Sequence, residues 1–117
     1  MTANHTTRNR PRPRLLTLGA ALTLLLVQTF NVWADEAKIV IDNFAFTPTV
    51  LTVKPGATIT FENHDSMVHT IVGVAGIFRS KALDTNDKFS VTLDKPGEID
   101  YFCGLHPFMK GKIIVAP

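Results

Sequence analysis

Between residues 37 and 116 the apolar side chains gather in short runs bounded by polar and turn-forming residues, not at helical spacing. In the segment FSVTL (89–93), Phe89, Val91 and Leu93 alternate with Ser90, Thr92 and Asp94. A two-residue period puts one set of side chains on a buried face and the other in water, the signature of a half-buried strand. AKIVI (37–41), VLTV (50–53), TITF (58–61), HTIV (69–72), IDYFC (99–103) and KIIVA (112–116) are the other short runs. All are rich in β-branched and aromatic residues and bounded by turn formers. No apolar repeat at helical spacing is long enough to require a helix. The prediction is an all-β domain of about seven strands.

Two connections share a signature, KPGA at 54–57 and KPGE at 95–98. Proline presets the first central angle of a type II turn, and glycine supplies the positive φ needed at the second. Each lies between two predicted strands and reads as a hairpin turn. The weakly patterned segment 73–87 reads as a loop holding a short strand or helical turn. Short strands with such turns in so few residues predict a small antiparallel Greek-key β-sandwich.

The first 34 residues follow a different rule. Residues 1–14 carry four arginines and no acid, 15–27 are apolar apart from Thr17 and Thr23, and VWA precedes DEAK. A basic start, an apolar middle and a small residue at the cut describe a secretory signal peptide, residues 1–34. The apolar run is shorter than the roughly 20 residues that span a bilayer, so an uncleaved anchor is the lesser alternative. No two arginines adjoin, so a twin-arginine signal is not supported. The expectation is a periplasmic protein without stable membrane insertion after cleavage, a monomer whose single domain comprises residues 35–117. The leader holds four of the twelve basic residues and none of the ten acids, so the net charge falls from +2 for the chain to −2 for residues 35–117. No basic patch with interleaved aromatics is left, which argues against nucleic acid as a partner.

The chemistry lies in DYFCGLHPFMKG (100–111), where Cys103, the sole cysteine, is followed by His106 and Met109 at intervals of three. A lone cysteine cannot close a disulfide within the chain, and outside the cytoplasm an exposed free thiol oxidises. Cys103 ends one predicted strand, and the loop 104–110 leading to the next carries His106 and Met109, with Gly104 and Pro107 able to fold it back. Thiolate, imidazole and thioether can thus converge at one end of the sandwich. A trigonal site with a weak axial sulfur needs a second imidazole. FENHDSMVHTIV (61–72) offers His64 and His69; His69, which opens an apolar β-branched run, is favoured over His64 in its polar cluster. Phe44, Phe46, Phe61, Phe89 and Phe102 read as core residues.

The motif CGLHPFMKG (103–111), with NHDSMVHT (63–70) upstream, resembles the type 1 blue-copper cupredoxins, most of all the amicyanin and plastocyanin group. The resemblance runs through residues 38–116. It implies a Greek-key β-sandwich holding one type 1 copper ion and shuttling single electrons between redox partners. His69 and His106 would be the imidazole ligands, Cys103 the thiolate and Met109 the axial thioether. Many relatives have proline before the first histidine ligand and asparagine after it; Val68 and Thr70 stand here, and the Thr70 hydroxyl is expected to tie the two ligand loops. Redox partners would dock near His106 on an apolar patch including Leu105, Pro107 and Phe108, with Met67 and Val68 beside it. Three alternatives remain: copper delivery or storage with the same ligands, an enzyme using Cys103 as nucleophile with a histidine base, and a zinc site. The enzyme leaves Met109 without a role, and methionine is a poor zinc ligand.

Overall fold

The computed structural model describes residues 2, 3, 10–14, 19 and 35–117. Almost all of the predicted leader, its apolar run and cleavage point included, lies outside them. The account below concerns residues 35–117.

Eight strands are found among these residues: β1 Glu36–Asp42, β2 Ala45–Thr47, β3 Val50–Val53, β4 Ala57–Asn63, β5 Val72–Gly73, β6 Lys88–Leu93, β7 Gly97–Phe102 and β8 Lys110–Val115. They form two four-stranded sheets, β2-β1-β4-β6 and β3-β8-β7-β5. The expected β-sandwich is thus formed. Both sheets are mixed and not purely antiparallel, since β1 runs parallel to β4 and β3 parallel to β8.

Alternation explains the layers. Along β4, Ala57, Ile59, Phe61 and Asn63 are buried while the residues between them are half-buried. Ile39 and Ile41 of β1 face the same core, as do Ile113 and Val115 of β8 from the opposite sheet. Aromatic rings join the layers edge to face: the Tyr101 ring lies 5.2 Å from Phe61 and 4.8 Å from Phe46, centroid to centroid. Such pairs contribute about 0.5–1.5 kcal/mol beyond the area they bury.

The two Pro-Gly turns are not hairpins. One leads from β3 to β4 and the other from β6 to β7, and in each case the strands belong to different sheets. The first closes as its sequence implies, with Gly56 at φ +87° and the Ala57 N–H donating to the Lys54 carbonyl at 3.1 Å. Turn chemistry fixes the reversal but not the sheet that the chain enters next. The predicted strand at 69–72 is also reduced. Only Val72 and Gly73 pair with β7, and His69 makes an isolated bridge to Leu83. Between them Ser80 interrupts the ladder, its hydroxyl accepting the Ile71 N–H at 2.8 Å. The loop 73–87 contains one 3₁₀ turn, Val74–Gly76.

Candidate metal centre

The site lies where β1, β4 and β7 all end. The last pair of the β7–β8 hairpin is Phe102 with Lys110, so residues 103–109 form its closed end. The loop is wound by its own backbone. The His106 N–H donates to the Cys103 carbonyl at 3.2 Å, the Met109 N–H to the His106 carbonyl at 2.9 Å, and the Cys103 N–H to the Met109 carbonyl at 3.0 Å. These bonds make the three-residue spacing of the motif a sequence of turns. His69 comes from the other loop, fixed by a reciprocal pair of backbone hydrogen bonds with Leu83 at 3.1 and 2.8 Å.

Together these bring three predicted donors into one triangle. His69 Nδ1 and His106 Nδ1 are 3.2 Å apart, and the Cys103 sulfur lies 3.7 Å from the first and 3.6 Å from the second. The point equidistant from atoms at those separations is about 2.0 Å from each, close to the lengths at which imidazole nitrogen and thiolate sulfur bind a first-row metal ion. His69 and Cys103 are 0% exposed and Met109 is 2% exposed. His106 alone of the four is partly exposed. Met109 is held beside Cys103 by its backbone. His64 is not part of the cluster: it is exposed, and its Nε2 lies 3.3 Å from Glu62.

Thr70 ties the loops. Its hydroxyl accepts the Gly104 N–H at 2.9 Å, and its own N–H points at the Cys103 sulfur from 3.4 Å. A donor aimed at a thiolate spreads its charge and so influences any bound metal. Gly104 is needed here for space, since a Cβ on it would stand 2.8 Å from the Thr70 hydroxyl oxygen.

Sequence reasoning missed two residues. Asp65 accepts the His69 Nε2–H at 2.8 Å, and also the N–H groups of Asn43 and Phe44 at 2.6 and 3.0 Å. Burial works against the charged carboxylate, but the Phe44 N–H, the His69 imidazole and the Asn43 N–H outweigh it and hold its pKa below the usual range. A carboxylate on Nε2 leaves the Nδ1 lone pair of His69 facing the other donors. The second residue is Phe44, expected in the core but 38% exposed, with its ring edge-on to both imidazoles. Within the sequence Asp65 sits in a polar cluster that reads as a turn, and nothing in it points to His69.

Two imidazole nitrogens, a buried thiol sulfur and an adjoining thioether are the donor set of a type 1 copper site. The cupredoxin-like domain family matches residues 15–115, and the chain belongs to that family. Within it the chain is similar to the amicyanins. It is 32% identical to amicyanin of Paracoccus versutus over 94 residues, 76% of this chain and 71% of that protein. It is 36% identical to amicyanin-alpha of Methylorubrum extorquens over 101 residues, 82% of this chain and 83% of that one. The crystal structure of the Paracoccus versutus amicyanin superposes with a TM-score of 0.66 at 32% identity, covering 74% of this chain and 86% of the other.

Proposed function

We propose that this protein is an exported electron carrier that binds one copper ion through His69, Cys103 and His106, with Met109 as the axial ligand. The observation that carries this reading is the triangle of two Nδ1 atoms and one sulfur with sides of 3.2, 3.6 and 3.7 Å. Bound there, copper supplies a one-electron couple between Cu(II) and Cu(I). Thiolate and thioether favour the reduced ion while imidazole suits both states. The protein fixes the donors by backbone bonds, so they need not rearrange when the charge changes.

His106 is the route to solvent, because the other three ligands are buried. Exposed apolar side chains flank it. Phe108 is 70% exposed with its ring 6.1 Å from His106, and Leu105 is 52% exposed. A small apolar face suits brief contact with redox proteins in the periplasm. Cys103 as a catalytic nucleophile is disfavoured, since the residue is buried and such a reaction leaves Met109 without a role.

The test is to load the purified protein with Cu(II) and record its visible spectrum. An intense thiolate-to-copper band in the red, abolished by Cys103→Ser, is expected; a colourless protein with a titratable thiol overturns the assignment. Rapid electron self-exchange in the loaded protein supports the carrier, whereas slow exchange with ready transfer of copper to an acceptor supports delivery.

A further inference from the structure

The tip of the β1–β2 hairpin is strained in a way that its own packing does not explain. Asp42 pairs with Ala45, so Asn43 and Phe44 are the two turn residues, and their φ angles are +49° and +58°. Two positive φ values make a type I′ turn, in which asparagine is favoured first and glycine second. Phenylalanine in the second place is a genuine outlier, because its Cβ crowds the backbone there. Strain of this kind persists where surrounding structure over-determines it, often at a functional site.

The surroundings here are the metal centre. One Asp65 carboxylate takes both turn N–H groups, Asn43 on Oδ1 and Phe44 on Oδ2, and Oδ2 also takes His69 Nε2. Asp65 is itself fixed, its N–H donating to Asn63 Oδ1 at 2.9 Å and its carbonyl accepting the Thr85 hydroxyl at 2.6 Å. Asn63, fully buried, ties this loop to the segment 73–87 by donating to the Met67 and Leu83 carbonyls. The clamped turn aims the Phe44 ring at the two imidazoles, 5.4 Å from His69 at 87° and 5.3 Å from His106 at 90°. Edge-to-face contact at these distances is favourable and restricts how the imidazoles turn.

We propose that Phe44 is a positioning residue of the metal centre: the Asp65 clamp holds it in a left-handed turn so that its ring packs against both imidazoles and restricts their turning. Its copper readout rests on the function proposed above; its readout in metal-free protein does not.

Phe44→Gly removes the ring and suits the turn, so the variant folds at least as readily as Phe44→Ala. Its Cu(II) affinity should fall about 10-fold or more, within the range usual for partners of metal ligands. In the metal-free protein, ¹⁵N-edited imidazole spectra should show slow exchange at His69 Nε2–H in the wild type and at least 10-fold faster exchange in Phe44→Gly. Asp65→Asn keeps the shape, leaves at least one of the three donors without an acceptor, and should show the same two changes with Phe44 in place. Exchange and affinity within twofold of wild type in Phe44→Gly overturn the proposal. So does an Asp65→Asn effect with none in Phe44→Gly, because the carboxylate would then act on His69 alone. If the wild type binds no copper, the function falls, while the exchange rates still decide the role of Phe44.

Discussion

Replacing Gly104 by alanine tests whether the two ligand loops are tied through a single hydroxyl. The added Cβ would meet the Thr70 hydroxyl oxygen at 2.8 Å and a Val72 methyl at 3.3 Å, against the 3.4 Å where ordinary contact begins. The larger overlap, about 0.6 Å, falls on the oxygen that accepts the Gly104 N–H. If the hydroxyl turns aside, that hydrogen bond is lost at a net cost of about 0.5–1.5 kcal/mol. If it stays, the loops must part, and overpacking of this kind costs about 1–3 kcal/mol. The expected destabilisation of Gly104→Ala is therefore about 1–2 kcal/mol.

In a Thr70→Ala background the same change should cost only a few tenths of a kcal/mol. The oxygen and its hydrogen bond are already gone there, and only the Val72 contact is left. The coupling between the two sites is then about 1 kcal/mol. It can be read by urea titration of the metal-free variants followed by far-ultraviolet circular dichroism, where it corresponds to a midpoint difference of about 1 M for a small domain. In the copper-loaded protein the red band of Gly104→Ala should shift as in Thr70→Ala, because both disturb the N–H aimed at the Cys103 sulfur. The double variant should add no further shift. Destabilisations additive within about 0.3–0.5 kcal/mol would refute the tie.

Other outcomes follow from the same geometry. Gly111→Ala should destabilise the fold by about 3 kcal/mol, because the Tyr101 ring already occupies the Cβ position, 2.2 Å away; thermal melts check it. His64→Ala should leave the copper spectrum unchanged while His69→Ala abolishes it, as their places inside and outside the cluster require. Copper at a hundred times its dissociation constant should stabilise the protein by about 2.7 kcal/mol, reversed by a chelator and absent in Cys103→Ala, as calorimetry would show. Phe108→Ala should slow electron exchange between copies in line-broadening measurements without moving the red band, since its ring lies over solvent-exposed surface and not against the sulfur.

Local features of this fold were legible, and relations between distant segments were not. FSVTL appears as β6 because alternation alone decides which of its residues face inward. The short β2 is not legible, since AFT (45–47) runs directly into Pro48 and gives no room for a pattern. HTIV implies a longer strand than forms, because β-branching cannot show that Ser80 will take the Ile71 N–H. KPGA is legible as a closed turn, whereas Gly97 in KPGE takes φ +147° and no type II geometry; neither connection is a hairpin, because the sheet a chain enters is settled by which faces must be buried. At the site, Cys103, His106 and Met109 were legible since one wound loop brings them together. His69 was legible from its place at the start of an apolar run. Asp65 and Phe44 were not, because the clamp exists only once the β1–β2 turn has been laid against the loop after β4.

That difference bears on how the centre works. Each donor is held by backbone hydrogen bonds: His69 through Leu83 outside the ligand set, and Cys103, His106 and Met109 through one another's carbonyls within their loop. Thr70 to Gly104 then ties the two ligand loops together, and Asp65 ties the first of them to the Asn43–Phe44 turn. A ligand set fixed in this way has little conformational freedom left to lose when a metal binds, and little rearrangement to make when an electron arrives. The left-handed Phe44 fits this account. A turn with glycine would be less strained, but it would leave the two imidazoles without the ring now packed edge-on against them both.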